Sequence, residues 1–385
     1  MNKRLLGINF KPVRYYSSLI KNDPEKIDLT VGEGHFASPF NAKLKAFEAL
    51  LKDNTKYTLV EGNSALREKI IEIYYPMYDK DKEIIITNGS THGIFLVLSS
   101  LINSINDEII IIGPYYPAYY NTIYLLGGKV KIIDTDKTNF KLTVEKLKEV
   151  VSNSTIALII NEPSNPTGVI YTEEEKNILL EYLKKQHFYV IVDEIYRAYA
   201  EDGFISFSSI IDEEIKKRFI FINSLSKSHM MTGYRIGFVL SNKSINNELK
   251  KLNYLSVSSI ATIMQEAALG ALSEETFAPF VKKYYQENLQ LVHDSLNYLQ
   301  VKYVPTNSGY YVFMDTSSFF MTGDEFCRYF CENYKIALVP GHIFGENYRY
   351  YVRISCCRDT KDLMYFIDKM TNFVDKNHKK RKYHL

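Results

Sequence analysis

Four short segments of this chain carry residue types that can do chemistry together. They are Asn165-Pro166-Thr167-Gly168, Asp193-Glu194-Ile195-Tyr196, Ser224-Leu225-Ser226-Lys227 and Gly233-Tyr234-Arg235-Ile236-Gly237. A lysine amine can form a Schiff base with a carbonyl and, once freed, move a proton. Asp193 closes the apolar run Tyr189-Val190-Ile191-Val192. A carboxylate there can keep a pyridine nitrogen protonated, and the protonated ring supplies the cation that a partly buried carboxylate needs. Arg235 can grip a phosphate dianion with two parallel hydrogen bonds, with Ser224 and Ser226 beside it. Together these groups are what a protein needs to hold pyridoxal phosphate and use it as an electron sink. Each also has a plainer reading. A lone lysine is usually solvated, an aspartate after a strand is often a helix N-cap, and Pro-Thr-Gly makes a turn. Their joint occurrence, in order and at the ends of predicted strands, is what carries the chemical reading.

Short apolar runs at 83–87, 108–112, 129–133, 155–161, 188–192, 218–223 and 235–240 read as strands. Ile109-Ile110-Ile111-Ile112 is apolar without alternation, the pattern of a strand buried on both faces of a mostly parallel sheet. Helical patterns fall between them at 91–103, 116–126, 143–151 and 172–186. Thr172, followed by Glu173, Glu174 and Glu175, reads as an N-cap with an acidic first turn. In such a sheet, ligands collect at the carboxyl ends of the strands. Asn88-Gly89-Ser90-Thr91 lies at one such end and opens a helix, which suits a phosphate and equally suits a plain turn and cap.

After Ser241 the pattern changes. Long helices are expected at 245–255, 260–272 and 275–301, then strands at 309–315, 336–339 and 349–355 with helices at 323–333 and 360–375. The expected fold class is α/β: a large domain with a mostly parallel seven-stranded sheet flanked by helices, plus a smaller α+β C-terminal domain joined by the N-terminal segment. The expected division is residues 1–40 as N-terminal arm and small-domain segment, 41–275 as cofactor-binding domain and 276–385 as small domain. A continuous helix, rather than a flexible tether, is expected to join the two domains.

With 385 residues the chain can bury a large core, and its formal net charge of +2 gives no field that argues for nucleic acid or an anionic membrane. No apolar run reaches the roughly 20 residues of a membrane span. The basic start is too short and interrupted for a secretory signal, so a cytoplasmic location is expected. Cys327, Cys331, Cys356 and Cys357 have neither zinc spacing nor the density of a disulfide scaffold, so no metal is expected. The basic cluster from Lys376 to Lys382 reads as a solvated, frayed tail.

From about Ile27 to Arg358 the chain resembles the class I/II aminotransferases of the aspartate aminotransferase superfamily, fold-type-I enzymes that use pyridoxal 5'-phosphate. Asp28-Leu29-Thr30-Val31-Gly32-Glu33, Lys56-Tyr57-Thr58 with Gly62 and Leu66-Arg67, Pro114-Tyr115-Tyr116 and Tyr351-Val352-Arg353-Ile354-Ser355 carry that resemblance beside the four segments above. It implies that Lys227 forms the Schiff base and shuttles a proton, and that Asp193 pairs with the ring nitrogen. It implies that Asn165 and Tyr196 bond the ring oxygen, and that Tyr116 stacks on the ring. Ser90, Thr91, Ser224, Ser226 and Arg235 would hold the phosphate, with Tyr57 supplied by the partner of a homodimer. Arg353, Gly32 and Asn165 would receive the carboxylate of an amino acid. Two departures stand out. The family's Gly-Glu-Pro reads Gly32-Glu33-Gly34, which is expected to loosen that loop. Two positions that are often tryptophan are Tyr116 and Tyr234, in a chain with 31 tyrosines and no tryptophan.

The expected activity is transfer of the α-amino group of an L-amino acid to a 2-oxo acid by a ping-pong route. The same scaffold also carries C–S β-lyases, which are the alternative. A cofactor-binding regulator that no longer catalyses is a third reading. The stretch of about 25 residues before the resemblance is short for a DNA-binding domain. Tyrosine-rich segments such as Arg14-Tyr15-Tyr16 give a mild preference for hydrophobic or aromatic substrates.

Overall fold

The computed structural model describes residues 3–8 and 13–382, with side chains described to Lys376. A two-residue strand, β1 (Ile27–Asp28), follows the N-terminal helices. Seven strands come next: β2 (Ile84–Asn88), β3 (Glu108–Gly113), β4 (Lys129–Asp134), β5 (Thr155–Asn161), β6 (Tyr189–Asp193), β7 (Phe219–Ser224) and β8 (Ile236–Leu240). They form one sheet in the order β2-β8-β7-β6-β5-β3-β4. All pairings are parallel except those of β8, which runs antiparallel to both β2 and β7. Each strand lies within one residue of its sequence-predicted position. The protein is therefore α/β, with the expected mostly parallel seven-stranded sheet flanked by helices.

The unbroken apolar runs are explained by two cores, one on each face. Ile110, Leu158, Ile160, Val190, Val192 and Phe221 belong to one. Their neighbours Ile109, Ile111, Ile159, Ile191 and Ile222 belong to the other. At period two, each strand feeds both faces, and fully burying each such side chain contributes about 1.5–3 kcal/mol. Thr172 caps the helix Glu173–Leu183 in a full capping box with Glu175, as its sequence pattern requires.

The smaller body follows the helix Phe277–Tyr298. That helix gives Val281 and Tyr285 to a cluster around Tyr196 and Tyr199, and Leu289, Val292 and Leu296 to the small-body core. The remaining strands are β9 (Tyr311–Asp315), β10 (Ile336–Ala337), β11 (Val339–Pro340) and β12 (Tyr351–Ser355). One strand was expected over 336–339; the structure divides it at Leu338. Ile336–Ala337 pairs in parallel with β1, whereas Val339–Pro340 pairs antiparallel with β12 in the sheet β11-β12-β9. Proline lacks the N–H that a continued ladder would need, so the segment ends at a sheet edge. Tyr16, Ile20, Ile27 and Leu29 pack into this core, so the N-terminal segment joins the small body. The last helix spans Thr360–Lys382, past the predicted end, so the backbone of the basic cluster is helical where a frayed tail was expected.

One residue beyond β5 and β6, alternation sends Glu162 and Glu194 to the face opposite Asn161 and Asp193. Glu162 Oε1 accepts from Lys176 Nζ at 2.9 Å and from the Tyr171 backbone N–H at 2.7 Å. Both Glu162 and Lys176 are fully buried. Burial raises the Glu162 carboxyl to about 7, and Lys176 acts against that rise. Removing one partner of a buried pair strands the other. Lys176→Met is expected to cost about 3–5 kcal/mol, and Glu162→Gln added to it should restore more than half. Thermal unfolding of the single and double variants checks both.

Candidate active site

The carboxyl ends of the parallel strands open on a cavity of about 450 Å³. β6 delivers Asp193 as its last residue, with Tyr196 in the turn beyond. β5 ends at Asn161 and leads into the loop that bears Asn165. β7 is followed by the one-turn helix Leu225–Ser228, which places Ser226 and Lys227 in the cavity wall. β8 runs the other way, so its amino end lies here, and Arg235 precedes it with φ +59°. Ser90 and Thr91 open the helix Ser90–Leu101 after β2, and Tyr116 precedes the helix Pro117–Leu126 after β3. The small body contributes Arg353 from β12 and Tyr311 from β9, and Gly32 comes from the N-terminal segment.

Lys227 Nζ donates to the Gly32 carbonyl at 2.5 Å. Burial lowers its proton affinity to about 8, with Arg353 and Arg235 acting the same way and Cys357 and Glu33 opposing. The Asp193 carboxylate accepts from the Tyr119 hydroxyl at 2.6 Å and the Ile195 N–H at 3.1 Å. The second bond closes a local turn, and Asp193 caps no helix, so the plainer N-cap reading does not hold. Burial raises this carboxyl to about 6, and both hydrogen bonds work against the rise. Arg235 donates to the carbonyls of Thr232 at 2.9 Å and Asn88 at 3.3 Å. Arg353 Nη1 donates to Asn165 Oδ1 at 2.8 Å, Nη2 donates to the Thr30 carbonyl, and the buried Nε has no partner.

Among the described residues, no protein carboxylate pairs with Arg235 or Arg353, and no protein cation pairs with Asp193. One cavity therefore holds places for two anions and one cation. A phosphate, a carboxylate and a protonated pyridine nitrogen match that set in sign. Asp193 and Arg353 are buried, and buried charge is stable only when it is compensated, whereas Arg235 is exposed; the donor set fits pyridoxal phosphate with an amino acid.

The family described as aminotransferase class I and II matches residues 24–370. The chain belongs to the class I and II aminotransferases. It is 33% identical to a probable N-acetyl-LL-diaminopimelate aminotransferase of Bacillus subtilis, over 97% of this chain and 95% of that protein. It is 34% identical to a (5-formylfuran-3-yl)methyl phosphate transaminase of Methanocaldococcus jannaschii, over 98% of this chain and all of that protein. The solved structure of an aspartate aminotransferase from Thermotoga maritima superposes with a TM-score of 0.90 at 30% identity, covering 97% of this chain and 100% of that one. As a member of this family, the protein is an enzyme that depends on pyridoxal 5'-phosphate.

Of the residues singled out in the sequence of this aminotransferase, two do not reach the cavity of their own subunit. Ser224 is buried, and its Oγ accepts the Ser226 N–H at 3.2 Å, capping the one-turn helix instead of facing a phosphate. Tyr57 is 88% exposed and stands off the cavity. Asn161, Tyr119 and Tyr311 are among the cavity residues that escaped the sequence reading. Asn161 ends an apolar run just as Asp193 does, pairs with it in register, accepts the Asn165 N–H at 2.7 Å and donates to the Asp193 carbonyl at 2.9 Å. Tyr119 lies one helical turn beyond Tyr116, a spacing that could have found it. Tyr311 gives no such signal.

In the cofactor-free protein, Lys227 binds protons less readily than the ordinary 10.5. Between about 8 and 10.5 the native state then holds fewer protons than the unfolded state, so stability rises with pH across that window. Lys227→Met removes this dependence. Its melting temperature should exceed that of the wild type near pH 7, and the gap should narrow toward pH 10.

Proposed function

We propose that this aminotransferase moves the α-amino group of an L-amino acid to a 2-oxo acid in two half-reactions at one site. The observation that carries the reading is the set of three uncompensated charges, Asp193, Arg235 and Arg353, around the Lys227 amine. Pyridoxal phosphate supplies a carbonyl for the amine and a protonated ring that takes up electrons from the substrate. Lys227 Nζ takes the proton from the substrate Cα, and its lowered proton affinity leaves neutral amine available near neutral pH. Asp193 keeps the ring nitrogen protonated, while Asn165 and Tyr196 donate to the ring oxygen and Tyr116 covers the ring face. Arg235, Ser90, Thr91 and Ser226 hold the phosphate. Arg353, with Gly32 and Asn165 beside it, holds the carboxylate of amino acid and oxo acid in turn, which is the basis of ping-pong kinetics.

The two packed bodies support a division into residues 1–40, 41–275 and 276–385. A homodimer is part of the same reading. The helix Phe40–Leu51 exposes Phe40, Phe47 and Leu51, and Tyr57 and Leu255 are exposed as well. Apolar exposure on this scale suits burial against a second copy, which would bring Tyr57 to the neighbouring phosphate. Four buried, unbridged cysteines suit a cytoplasmic, reducing compartment. Among the described residues, no helix is long and apolar enough to cross a membrane, and the near-neutral charge favours small-molecule partners over nucleic acid.

An absorbance titration with a panel of L-amino acids tests the transfer. The visible band of bound cofactor should give way to the pyridoxamine spectrum with donors of the correct class. Pyruvate released while the band persists would instead establish the β-lyase. Lys227→Ala should lower turnover by at least about 1,000-fold, and Arg353→Leu should raise the amino acid KM by about 10- to 100-fold. Light scattering should give the mass of a dimer, and Tyr57→Phe should weaken cofactor retention. A fully active monomer would refute the role given to Tyr57.

A further inference from the structure

The hydroxyl of Tyr196 has one protein hydrogen-bond partner among the described residues, the hydroxyl of Tyr311, at 3.1 Å. Tyr311 is buried and approaches Gly32 so closely that a Cβ there would lie 1.8 Å from its oxygen. Its ring lies against the Arg353 guanidinium, whose carbon is 4.2 Å from the ring centroid. Two hydroxyls joined by one bond use one hydrogen between them. When Tyr311 is the donor, the hydrogen of Tyr196 has no protein acceptor among the described residues, and both residues line the cavity. The cation on the face of Tyr311 draws electron density from that phenol and makes it the better donor. Tyr311 therefore spends its hydrogen on Tyr196, and the hydrogen of Tyr196 is left to point at an acceptor in the cavity.

We propose that Tyr311 is a positioning residue, which orients and strengthens the hydrogen bond that Tyr196 donates to the ring oxygen of bound pyridoxal phosphate. The inference rests on the function proposed above and adds a residue to it. A bond received by Tyr196 polarises the bond it donates. A bond donated to the ring oxygen stabilises the form in which that oxygen carries unshared negative charge. A weaker donor therefore raises the pH at which the bound cofactor takes up its proton. Tyr311 thus couples two parts of the site that the sequence keeps apart, the Arg353 guanidinium on one side of its ring and the phenol of Tyr196 at its hydroxyl. The other titratable or charged groups facing the two phenols and the lysine amine are Tyr116, Tyr310, Cys357, Glu33 and Arg235. Of these, Tyr310 also bonds the Tyr311 hydroxyl, and the Tyr196→Phe background separates the loss of that contact from the relay.

The test is a spectroscopic pH titration of the visible band in the cofactor-loaded protein. Tyr311→Phe keeps the ring against Arg353 and removes only the hydroxyl. Its midpoint should rise by about 0.2 to 0.5 pH unit, a fraction of the strength of one charge-assisted hydrogen bond. In a Tyr196→Phe background, the same exchange should move nothing further. An unchanged or lowered midpoint overturns the relay, as does an equal rise in the Tyr196→Phe background. Should Tyr311→Phe fail to fold, 3-fluorotyrosine at position 311 supplies a more acidic donor and should lower the midpoint, and no movement there overturns the relay as well. A wild-type protein that shows no visible band with added pyridoxal phosphate would overturn the function itself, an outcome separate from any failure of the relay.

Discussion

Charge without a protein counter-ion is the constraint on which this architecture turns. Asp193, Arg235 and Arg353 each keep their direction through neutral partners. A carbonyl or amide can fix a guanidinium in space without neutralising it, whereas a carboxylate would compete with the incoming anion. The site is therefore set in geometry and left unsatisfied in charge. The neutral partners come from separate segments: strand ends, the turns and helix that follow the strands, and the N-terminal segment. Thr232 and Asn88 belong to the antiparallel edge, Tyr119 follows β3, and Thr30 comes from the N-terminal segment.

The opposite face shows the same chemistry handled in the other way. Glu162 and Glu194 are each one residue past a site residue and are as deeply buried as Asp193, yet both are neutralised. Lys176 meets Glu162, and Arg197 meets Glu194 at 3.0 Å, with the Tyr75 hydroxyl donating to the same carboxylate oxygen at 2.7 Å. The period-two alternation of a strand decides which carboxylate faces which environment. Two paired carboxylates pin the loops from below, so that Asn165 and Tyr196, on those same loops, can face the cavity from above.

The central strands were legible because a strand buried on both faces writes an unbroken apolar run into the sequence; the edge strand β4 is broken by lysines and partly exposed. Asp193, Lys227, Arg235 and Arg353 were legible because charged residues at the ends of such runs stand out. The helices Phe40–Leu51 and Ser64–Tyr74 were not read as helices. The first exposes apolar side chains along its length, which blurs the two-faced pattern that periodicity depends on. The break at Leu338 was hidden because a strand passing between two sheets keeps one continuous apolar signature. Ser224 lies outside the cavity wall for a local reason: a serine that ends a strand and opens a helix turns its oxygen toward the backbone N–H groups of that helix. Tyr311 was hidden because its partners, Tyr196 and Arg353, lie 115 and 42 residues away along the chain.

The loop from Thr30 to His35 shows how the same chain compensates for an apparent loss. Glycine at position 34, where proline is common, was expected to leave this loop loose. Instead the Gly32 carbonyl accepts from both Lys227 and the Tyr310 hydroxyl, the latter at 3.1 Å, and the His35 N–H donates to the Tyr285 hydroxyl at 3.0 Å. Glu33 accepts from Thr232 at 2.5 Å and pairs with Arg14 at 3.3 Å. A Cβ on Gly34 would lie 2.2 Å from Met230 Sδ and 2.5 Å from the Tyr285 oxygen. Proline could not occupy that position while Tyr285 stands where it does. Stiffness that a ring would build into the backbone is supplied here by phenol hydroxyls from the helix Phe277–Tyr298 and the turn before β9. Tyr285 and Tyr311 thus depend on the glycines at 34 and 32, because each close approach of a phenol to this loop requires the absence of a side chain opposite it.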